Sequence, residues 1–316
     1  MRPAHIIVIG GSAGALGVLL RIVGDFPKNF PASLFLVLHL SPDAPSSLAE
    51  IVNCNSRLPA TFAQDGEKII PSRIYIAPPD KHLLISDNVV RLTRGPRENR
   101  SRPAIDALFR SAAQSYGRRV IAVVLSGLLD DGVHGAQVVS RCGGKVIVLE
   151  PEDAPYPQMP ENAIKYDHPD FVLKAADIFA MIQRLVADSE GGRAMTQTDE
   201  AQETKGLACY VCPDCGGPLL EDGNEDLPHF RCRVGHSYSL NALLSSEDDA
   251  LESALWAAVR CLQENAELKQ RTAAVLDRKR ANANAARLRE DAEAQLEQAK
   301  LLQERIIERQ KRVNTD

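Results

Sequence analysis

The first strand and the turn after it constrain the fold more than any other stretch of the chain. Residues 5–9 read HIIVI and run directly into 10–14, GGSAG, after which apolar residues recur at helical spacing. A run of consecutive apolar residues is typical of a strand buried on both faces, as in a parallel sheet. Glycines let the backbone turn where a Cβ atom would collide. Ser12 is therefore expected at the carboxyl edge of a sheet, where open parallel sheets place their chemistry.

The next part of the chain repeats this alternation of buried strand and helix. Further apolar runs lie at 34–38, 74–77, 120–125 and 145–149, with helical patterns between them, notably at 104–115 and 135–140. Such alternation implies right-handed crossovers. It predicts an α/β fold for residues 1–187, built on a doubly wound, mostly parallel sheet.

Three further segments follow. Residues 188–206 are poor in apolar side chains and contain paired glycines, as expected of a flexible linker. Residues 207–240 are predicted to form a small Cys-rich, zinc-ribbon-like module. Residues 241–316 are rich in helix-forming side chains and carry two apolar stripes. A hairpin of two antiparallel helices and one long coiled coil both agree with those stripes.

Length and charge limit the function classes. A chain of 316 residues is long for one domain, and its net charge of −5 argues against nucleic-acid binding. No stretch approaches the roughly 20 apolar residues that span a bilayer, so no membrane insertion is expected. The N-terminus enters a strand without a signal-peptide pattern, which predicts a cytoplasmic protein.

Three side chains follow buried strands in a way that suggests nucleophilic catalysis. Ser12, His39 and Asp131 each come one to six residues after an apolar run, and the ends of parallel strands meet at one edge. A serine hydroxyl needs an imidazole to take its proton, and a carboxylate to orient the imidazole. The competing interpretation is a phosphate-binding turn around Ser12, but the usual glycine spacings of such loops are absent.

Five motifs, in order, resemble the catalytic domain of CheB-type chemotaxis protein-glutamate methylesterases. They are IGGSAG at 9–14, VLHLSP at 37–42, IAPPDKHL at 76–83, RPAIDALFRSAA at 102–113 and SGLLDDG at 126–132. The resemblance implies an enzyme that hydrolyses glutamate methyl esters on methyl-accepting chemoreceptors, and deamidates glutamines, with no cofactor for catalysis. It assigns the triad to Ser12, His39 and Asp131.

The resemblance also has two departures. The family usually has Gly-Met-Gly where this chain has residues 127–129, GLL, so Leu128 inherits the backbone N–H expected in the oxyanion hole. Asp130 precedes Asp131, which leaves the triad carboxylate open to some ambiguity. The match starts at the fourth residue, so no receiver domain is expected and control must come from elsewhere.

The cysteine cluster predicts a metal site. Residues 212–215 form a C-x-x-C pair, and residues 232–236 form a C-x₃-H pair. Cys212, Cys215, Cys232 and His236 make a Cys₃His set, which suits structural zinc. Cys209 lies at the same spacing before Cys212 and is an alternative ligand.

Two functions of different classes remain. The first is the methylesterase itself. The alternative is a signalling scaffold that keeps the esterase fold, while the zinc module and the C-terminal helices recruit a partner. The apolar stripes of the tail also predict a homo-oligomer, unless the two helices pack on each other.

Overall fold

The computed structural model describes residues 5–39, 46–188, 207–223, 228–278 and 282–313, which form two compact units, Met1–Leu243 and Leu244–Asp316. The α/β part of the first unit contains, in chain order, β1 (His5–Gly11), α1 (Ala15–Gly24), β2 (Ala32–Leu38), α2 (Leu48–Asn55), β3 (Ala60–Phe62), β4 (Arg73–Ile76), β5 (His82–Ser86), β6 (Val89–Thr93), α3 (Ile105–Tyr116), β7 (Val120–Val124), α4 (Val133–Arg141), β8 (Lys145–Leu149), α5 (Gln158–Asp167), β9 (Phe171–Leu173) and α6 (Ala175–Asp188).

Seven of these strands form one sheet in the order β3-β4-β2-β1-β7-β8-β9, and every neighbouring pair is parallel. The strand order reverses at β1, which lies between β2 and β7. β5 and β6 form a separate antiparallel hairpin. The predicted doubly wound, mostly parallel sheet is confirmed.

Helices cover both faces of this sheet. Ile6 and Val8 of β1 pack into a core with α3, α4 and α5, whereas Ile7 and Ile9 pack into a second core with α1, α2 and α6. All four side chains are at most 1% exposed. The consecutive apolar residues of β1 are therefore explained by burial on two sides.

The Cys-rich module is a four-stranded antiparallel sheet. Its strands are β10 (Leu207–Val211), β11 (Pro218–Gly223), β12 (Pro228–Cys232) and β13 (Ser237–Ser239), in sequence order across the sheet. The module lies in the same compact unit as the α/β part. The predicted linker lies almost wholly outside the described residues, so the predicted boundaries at 187, 206 and 240 stay predictions.

The second unit consists of helix. α7 (Leu240–Arg278) and α8 (Asn282–Val313) pack side by side in opposite directions, with Lys269 paired to Asp291 and Arg309 paired to Asp248. Their seam is built on alanines at seven-residue spacing; Ala266, Ala273, Ala285, Ala292 and Ala299 are all buried. Of the two arrangements that the sequence allows, the structure has the hairpin.

Within the described ranges, none of the helices combines the length and the apolar character that a membrane span requires.

Candidate active site

Three loops at the carboxyl edge of the sheet carry the predicted triad. β1 and β2 end in register at Gly11 and Leu38, so Ser12 and His39 leave the sheet side by side. β7 lies on the other flank of β1, and the loop after it carries Asp131 to the start of α4. The backbone N–H of Ser12 donates to the carbonyl of Ser126, which ties this loop to the nucleophile turn.

The structure brings the three side chains together. Nδ1 of His39 lies 3.1 Å from Oγ of Ser12, and Nε2 lies 2.8 Å from Oδ2 of Asp131. With the proton on Nε2, the ring donates to the carboxylate and can accept the hydroxyl proton at Nδ1. In the serine-protease triad, Nε2 faces the serine and Nδ1 faces the aspartate, whereas here Nδ1 faces Ser12 and Nε2 faces Asp131. The order of contacts, from hydroxyl to imidazole to carboxylate, is the same.

Asp131 is held in its ionised form. Its side chain is 3% exposed. Burial by itself would raise the pKa of Asp131, but the hydrogen bond and the charge of His39, with N–H groups from Ile105 and Asn99, lower it below its ordinary value. The N–H groups of Ile105 and Asp106 donate to the two carboxylate oxygens, at 2.7 and 3.2 Å, so the carboxylate caps the first turn of α3.

Two residues that the sequence analysis missed complete this carboxylate site. Nδ2 of Asn99 lies 3.1 Å from Oδ1 of Asp131 and 2.8 Å from Oδ2 of Asp106. Asp106 is buried as well, and its burial, together with the charge of Asp131, raises its pKa well above the ordinary value. Asn99 thus donates to both members of a buried acidic pair.

The adjacent aspartates are separated by the structure. Asp131 contacts His39, whereas Asp130 accepts hydrogen bonds from Oγ of Ser239 and, at 3.0 Å, from Nδ2 of Asn241. Of the two carboxylates, it is that of Asp131 that lies at hydrogen-bonding distance from the imidazole.

The loop predicted to supply the oxyanion donor lies against Ser12. A Cβ atom on Gly127 would lie 3.0 Å from the Cβ of Ser12, so this loop approaches the nucleophile closely. The N–H of Leu128 has no hydrogen-bond partner among the described residues. Leu128 thus presents a free backbone donor.

Leu129 has a backbone conformation that favours glycine, at a position where the family resemblance leads us to expect one. Its φ is 60°, in the left-handed region that favours glycine. Its N–H donates to Oε1 of Gln158 and its carbonyl accepts from Nδ2 of Asn162, both at 2.8 Å. Two side chains of α5 therefore hold the loop in a conformation that a glycine at position 129 would adopt freely.

A pocket opens beside the imidazole. It has a volume of about 230 Å³ and is lined by His39, Asp80, Arg97, Arg100, Ser101, Arg102 and Pro103. Arg102 is held in place by Asp80, with Nη2 at 2.6 Å from Oδ1. The pocket therefore borders the reacting groups with mostly basic walls.

The predicted metal ligands also converge. The ligand atoms of Cys212, Cys215, Cys232 and His236 all lie within 4.8 Å of one another. Sγ of Cys215 lies 3.6 Å from Sγ of Cys232, and Nδ1 of His236 lies 3.5 Å from the same sulfur. Two sulfurs bound to one zinc at 2.3 Å with tetrahedral angles lie about 3.8 Å apart, so the set has the size of a metal site.

The surroundings of the cluster agree with metal binding. Cys215 and Cys232 are free cysteines, and Asp214 lies 3.9 Å from Nε2 of His236, on the side of the ring that faces away from the sulfurs. Carboxylates commonly orient metal-binding imidazoles through a hydrogen bond, and Asp214 lies on the appropriate side of the ring but beyond hydrogen-bonding distance. The side chain of Cys209, the alternative ligand, lies outside the described part of the chain.

Known proteins resemble the α/β part. A protein-glutamate methylesterase/protein-glutamine glutaminase 2 of Methanosarcina mazei is 35% identical over 191 residues, which cover 57% of this chain and 52% of the relative. A protein-glutamate methylesterase/protein-glutamine glutaminase of Thermotoga maritima is 37% identical over 192 residues, 58% of this chain and 56% of the relative. The chain spans about half the length of the curated relatives that it matches.

A solved structure and a family model agree with these relatives. The crystal structure of the Thermotoga maritima CheB methylesterase catalytic domain matches with a TM-score of 0.55 and 37% identity, covering 57% of this chain and 98% of that one. The family model described as CheB methylesterase matches residues 7–182. This match takes in more than half of the chain, which therefore belongs to the CheB methylesterase family.

Proposed function

We propose that this chain is a protein-glutamate methylesterase that hydrolyses glutamate methyl esters on a chemoreceptor-like protein. The observation that carries the proposal is the imidazole of His39, which bridges Ser12 and Asp131 at hydrogen-bonding distances. The names of the relatives support the substrate class and add glutamine deamidation as a second reaction of the same site. Both reactions replace the leaving group of a glutamyl carbonyl by water.

The proposed reaction begins when Nδ1 of His39 takes the hydroxyl proton of Ser12 and Oγ attacks the ester carbonyl. The N–H of Leu128 donates to the oxyanion, which is where charge develops in acyl transfer. His39 then returns the proton to the leaving methanol, and an acyl-serine remains. Water then attacks the acyl carbonyl while the same nitrogen takes its proton. His39 passes this proton to Oγ of Ser12 as the acyl–oxygen bond breaks, which releases the glutamate carboxylate and restores the free hydroxyl. Asp131 stabilises the imidazolium at both stages without accepting its proton.

The charges at the mouth of the site support an acidic protein substrate. Arg97, Arg100 and Arg102 line the pocket beside His39. Charges at the rim of an interface mainly steer encounter and orient a partner. A helix that carries glutamates around the methylated position is negatively charged and therefore complements these positively charged walls.

Methanol release from a methylated receptor preparation tests the reaction directly. The wild-type protein should release methanol, and Ser12→Ala should not release it above the uncatalysed rate. Equal release by both proteins would remove Ser12 from the mechanism. If neither protein releases methanol and a serine-reactive fluorophosphonate leaves Ser12 unlabelled, the scaffold alternative is favoured.

We also propose that Cys212, Cys215, Cys232 and His236 hold a structural zinc ion. Four protein ligands fill a tetrahedral site, so the ion would organise the module and would bind neither the ester nor the attacking water. Reduced thiolates persist in the cytoplasm, and this supports the location that we propose for the protein. Self-association through α7 and α8 remains a prediction.

A further inference from the structure

The Cys-rich module contacts the α/β part through β13, at the turn between residues 98 and 101. The N–H of Asn99 donates to the carbonyl of Ser237 at 2.8 Å, and the N–H of Ser237 donates to the carbonyl of Arg97 at 3.3 Å. The turn is a two-residue hairpin, because Glu98 and Ser101 exchange both of their backbone hydrogen bonds. Its two central residues, Asn99 and Arg100, have φ values of 48° and 65°.

The side chain of Asn99 connects this contact to the triad. Its Oδ1 accepts the N–H of Ser239 at 2.8 Å, while its Nδ2 donates to Asp106 at 2.8 Å and to Asp131 at 3.1 Å. Asn99 is 5% exposed. A buried amide needs hydrogen-bond partners for both its oxygen and its nitrogen. Because β13 donates to Oδ1, it also fixes the direction in which Nδ2 points.

A second contact acts on the residue before the triad carboxylate. Asp130 is 3% exposed, and its carboxylate accepts hydrogen bonds from Ser239 and Asn241, both outside the α/β part. Residues 130 and 131 share one peptide bond, so the module restrains the backbone that carries Asp131. Ser239 takes part in both contacts, through its N–H and its hydroxyl.

The cluster of metal ligands lies immediately before β13. Cys232 ends β12, and His236 directly precedes Ser237. The turn between these ligands is closed by a hydrogen bond from the N–H of Cys232 to the carbonyl of His236, at 3.0 Å. An ion shared by Cys232 and His236 would fix this turn and, with it, the direction in which β13 leaves.

We propose that the Cys₃His module is a metal-dependent positioning element for the catalytic aspartate, and that Asn99 is the positioning residue through which it acts. This proposal rests on the proposed function, because it takes Asp131 as the triad carboxylate. With zinc bound, β13 holds Asn99 and Asp130, and Asp131 faces His39. Without zinc, β13 loses its anchor, Asn99 is free to turn, and Asp131 is no longer held toward the imidazole.

The first test measures the rate at which a fluorophosphonate labels Ser12 in the full-length protein. This rate depends on His39 and Asp131 but not on the identity of the natural substrate. Asn99→Gly keeps the positive φ and removes the side chain, and it should slow labelling by about 10- to 100-fold, the cost of a misplaced catalytic group. Asn99→Asp keeps the acceptor for Ser239 but places a third carboxylate beside Asp106 and Asp131, and it should slow labelling at least as much.

Non-additivity separates positioning from general loss of structure. In an Asp131→Ala background, Asn99→Gly should change the labelling rate by less than about twofold, because the residue through which it acts is gone. A full additional 10-fold loss in that background would overturn the proposal. An unchanged rate for the single Asn99→Gly variant would overturn it as well.

The second test removes one metal ligand. Cys215→Ser changes an exposed ligand, and Cys54→Ser, at an exposed cysteine of α2, is the matched control. Elemental analysis should find about one zinc per chain in the wild type and in Cys54→Ser, and much less in Cys215→Ser. The amides of Asn99 and Ser239 should lose hydrogen-exchange protection in Cys215→Ser while the strands of the parallel sheet keep theirs.

In Cys215→Ser the labelling rate should fall by the same factor as in Asn99→Gly, and combining the two substitutions should add little. A zinc-free variant that is labelled at the wild-type rate, or a wild-type protein that binds no zinc, would overturn the proposal. If instead the wild-type protein is not labelled at Ser12 at all, the proposed hydrolase function fails, and the zinc and exchange measurements still report on the module.

Discussion

Asp130 and Asp131 are adjacent in the chain, but their carboxylates are bound by different parts of the molecule. Oδ2 of Asp131 lies 2.8 Å from Nε2 of His39, whereas Oδ2 of Asp130 lies 3.0 Å from Nδ2 of Asn241. Both side chains are at most 3% exposed. The two residues therefore form a natural matched pair, equal in chemistry and burial and different only in what they contact.

The same substitution at the two positions should have unequal effects. Asp131→Asn places a neutral amide against the imidazole, so kcat should fall by about 10⁴-fold, as the same change does in a serine-protease triad. Asp130→Asn should cost much less, because His39 keeps its carboxylate. Methanol release and Ser12 labelling measure both variants. Equal losses at the two positions would contradict the assignment of Asp131.

Close packing between β1 and α3 predicts a second effect. A Cβ atom on Gly10 would lie 2.2 Å from Cγ2 of Ile105, whose N–H donates to Asp131 at 2.7 Å. Gly10→Ala should therefore push Ile105 away, lower the free energy of unfolding by about 1–3 kcal/mol and reduce kcat. Urea denaturation and Ser12 labelling measure the two consequences.

Gly17 supplies the control for that substitution. It lies inside α1, and a Cβ atom there would meet no atom within 4 Å. Gly17→Ala should raise the free energy of unfolding by up to about 1 kcal/mol, because alanine has the higher helix propensity, and should leave kcat unchanged. Destabilisation at both glycines would count against the packing explanation.

The left-handed conformation of Leu129 makes the loop sensitive to side-chain shape. Such a conformation costs an L-residue roughly 1–2 kcal/mol, and glycine avoids that cost but gains freedom in the unfolded chain. Leu129→Gly should therefore leave the free energy of unfolding unchanged or raise it slightly. Leu129→Val, which is β-branched, should lower it by about 1 kcal/mol or more. Thermal denaturation of the two variants checks the order, and the reverse order would rule out backbone strain.

Asp167 predicts a dependence of stability on pH. Burial raises the pKa of Asp167 to about 6. An unfolded aspartate titrates near 3.9, so between about pH 4 and 6 the folded state holds more protons than the unfolded state. The contribution of Asp167 to stability is then present below about pH 4 and is lost as the pH rises through 6.

Asp167→Asn should make this slope shallower, leaving the part that comes from the other buried aspartates with a raised pKa, such as Asp106, and should make the protein more stable than the wild type above pH 6. Urea denaturation from pH 4.5 to 7 measures the effect. Asp25→Asn, at an exposed position after α1, should keep the wild-type slope. A slope as steep in Asp167→Asn as in the wild type would show that Asp167 does not contribute to it.

The alanine seam predicts which positions of the helical hairpin accept larger residues. Ala292 is fully buried between α7 and α8, whereas Ala286 is exposed on α8. Ala292→Leu should lower the melting temperature of the helical signal, since overpacking costs about 1–3 kcal/mol. Ala286→Leu should not lower it. Native mass spectrometry on both variants shows whether an opened hairpin associates with a second copy.

Much of the α/β architecture could be predicted because parallel strands that are buried on both faces consist of consecutive apolar residues. β1, β2, β7 and β8 were each visible in this way. The strands β3 and β9 were not predicted, because each has only three residues and lies at an edge of the sheet. Their position depends on pairing with β4 and β8, which no local pattern encodes.

The convergence of Ser12, His39 and Asp131 could be predicted because the strand ends of a parallel sheet meet at one edge, but the residues that support Asp131 could not. Asn99 lies in a segment with four arginines and looks like part of a solvated loop, yet it is buried by β13, more than 130 residues later in the chain. Asp130 was ambiguous for the same reason, since its partners come from residues 239 and 241. An asparagine before an arginine in a short polar turn is a weak signal for a left-handed conformation, and nothing local indicates its partners.

The pairing of β13 with the 98–101 turn has a practical consequence for anyone who trims this protein. A fragment that stops at α6 would retain the whole parallel sheet and all three triad residues. It would also lack the hydrogen-bond donors of the carboxylate of Asp130 and of the amide oxygen of Asn99, which come from residues 239 and 241. These two polar groups would then have to be hydrated by water. Turnover measured on such a fragment would therefore report on a site whose residues are less firmly positioned than they are in the intact chain.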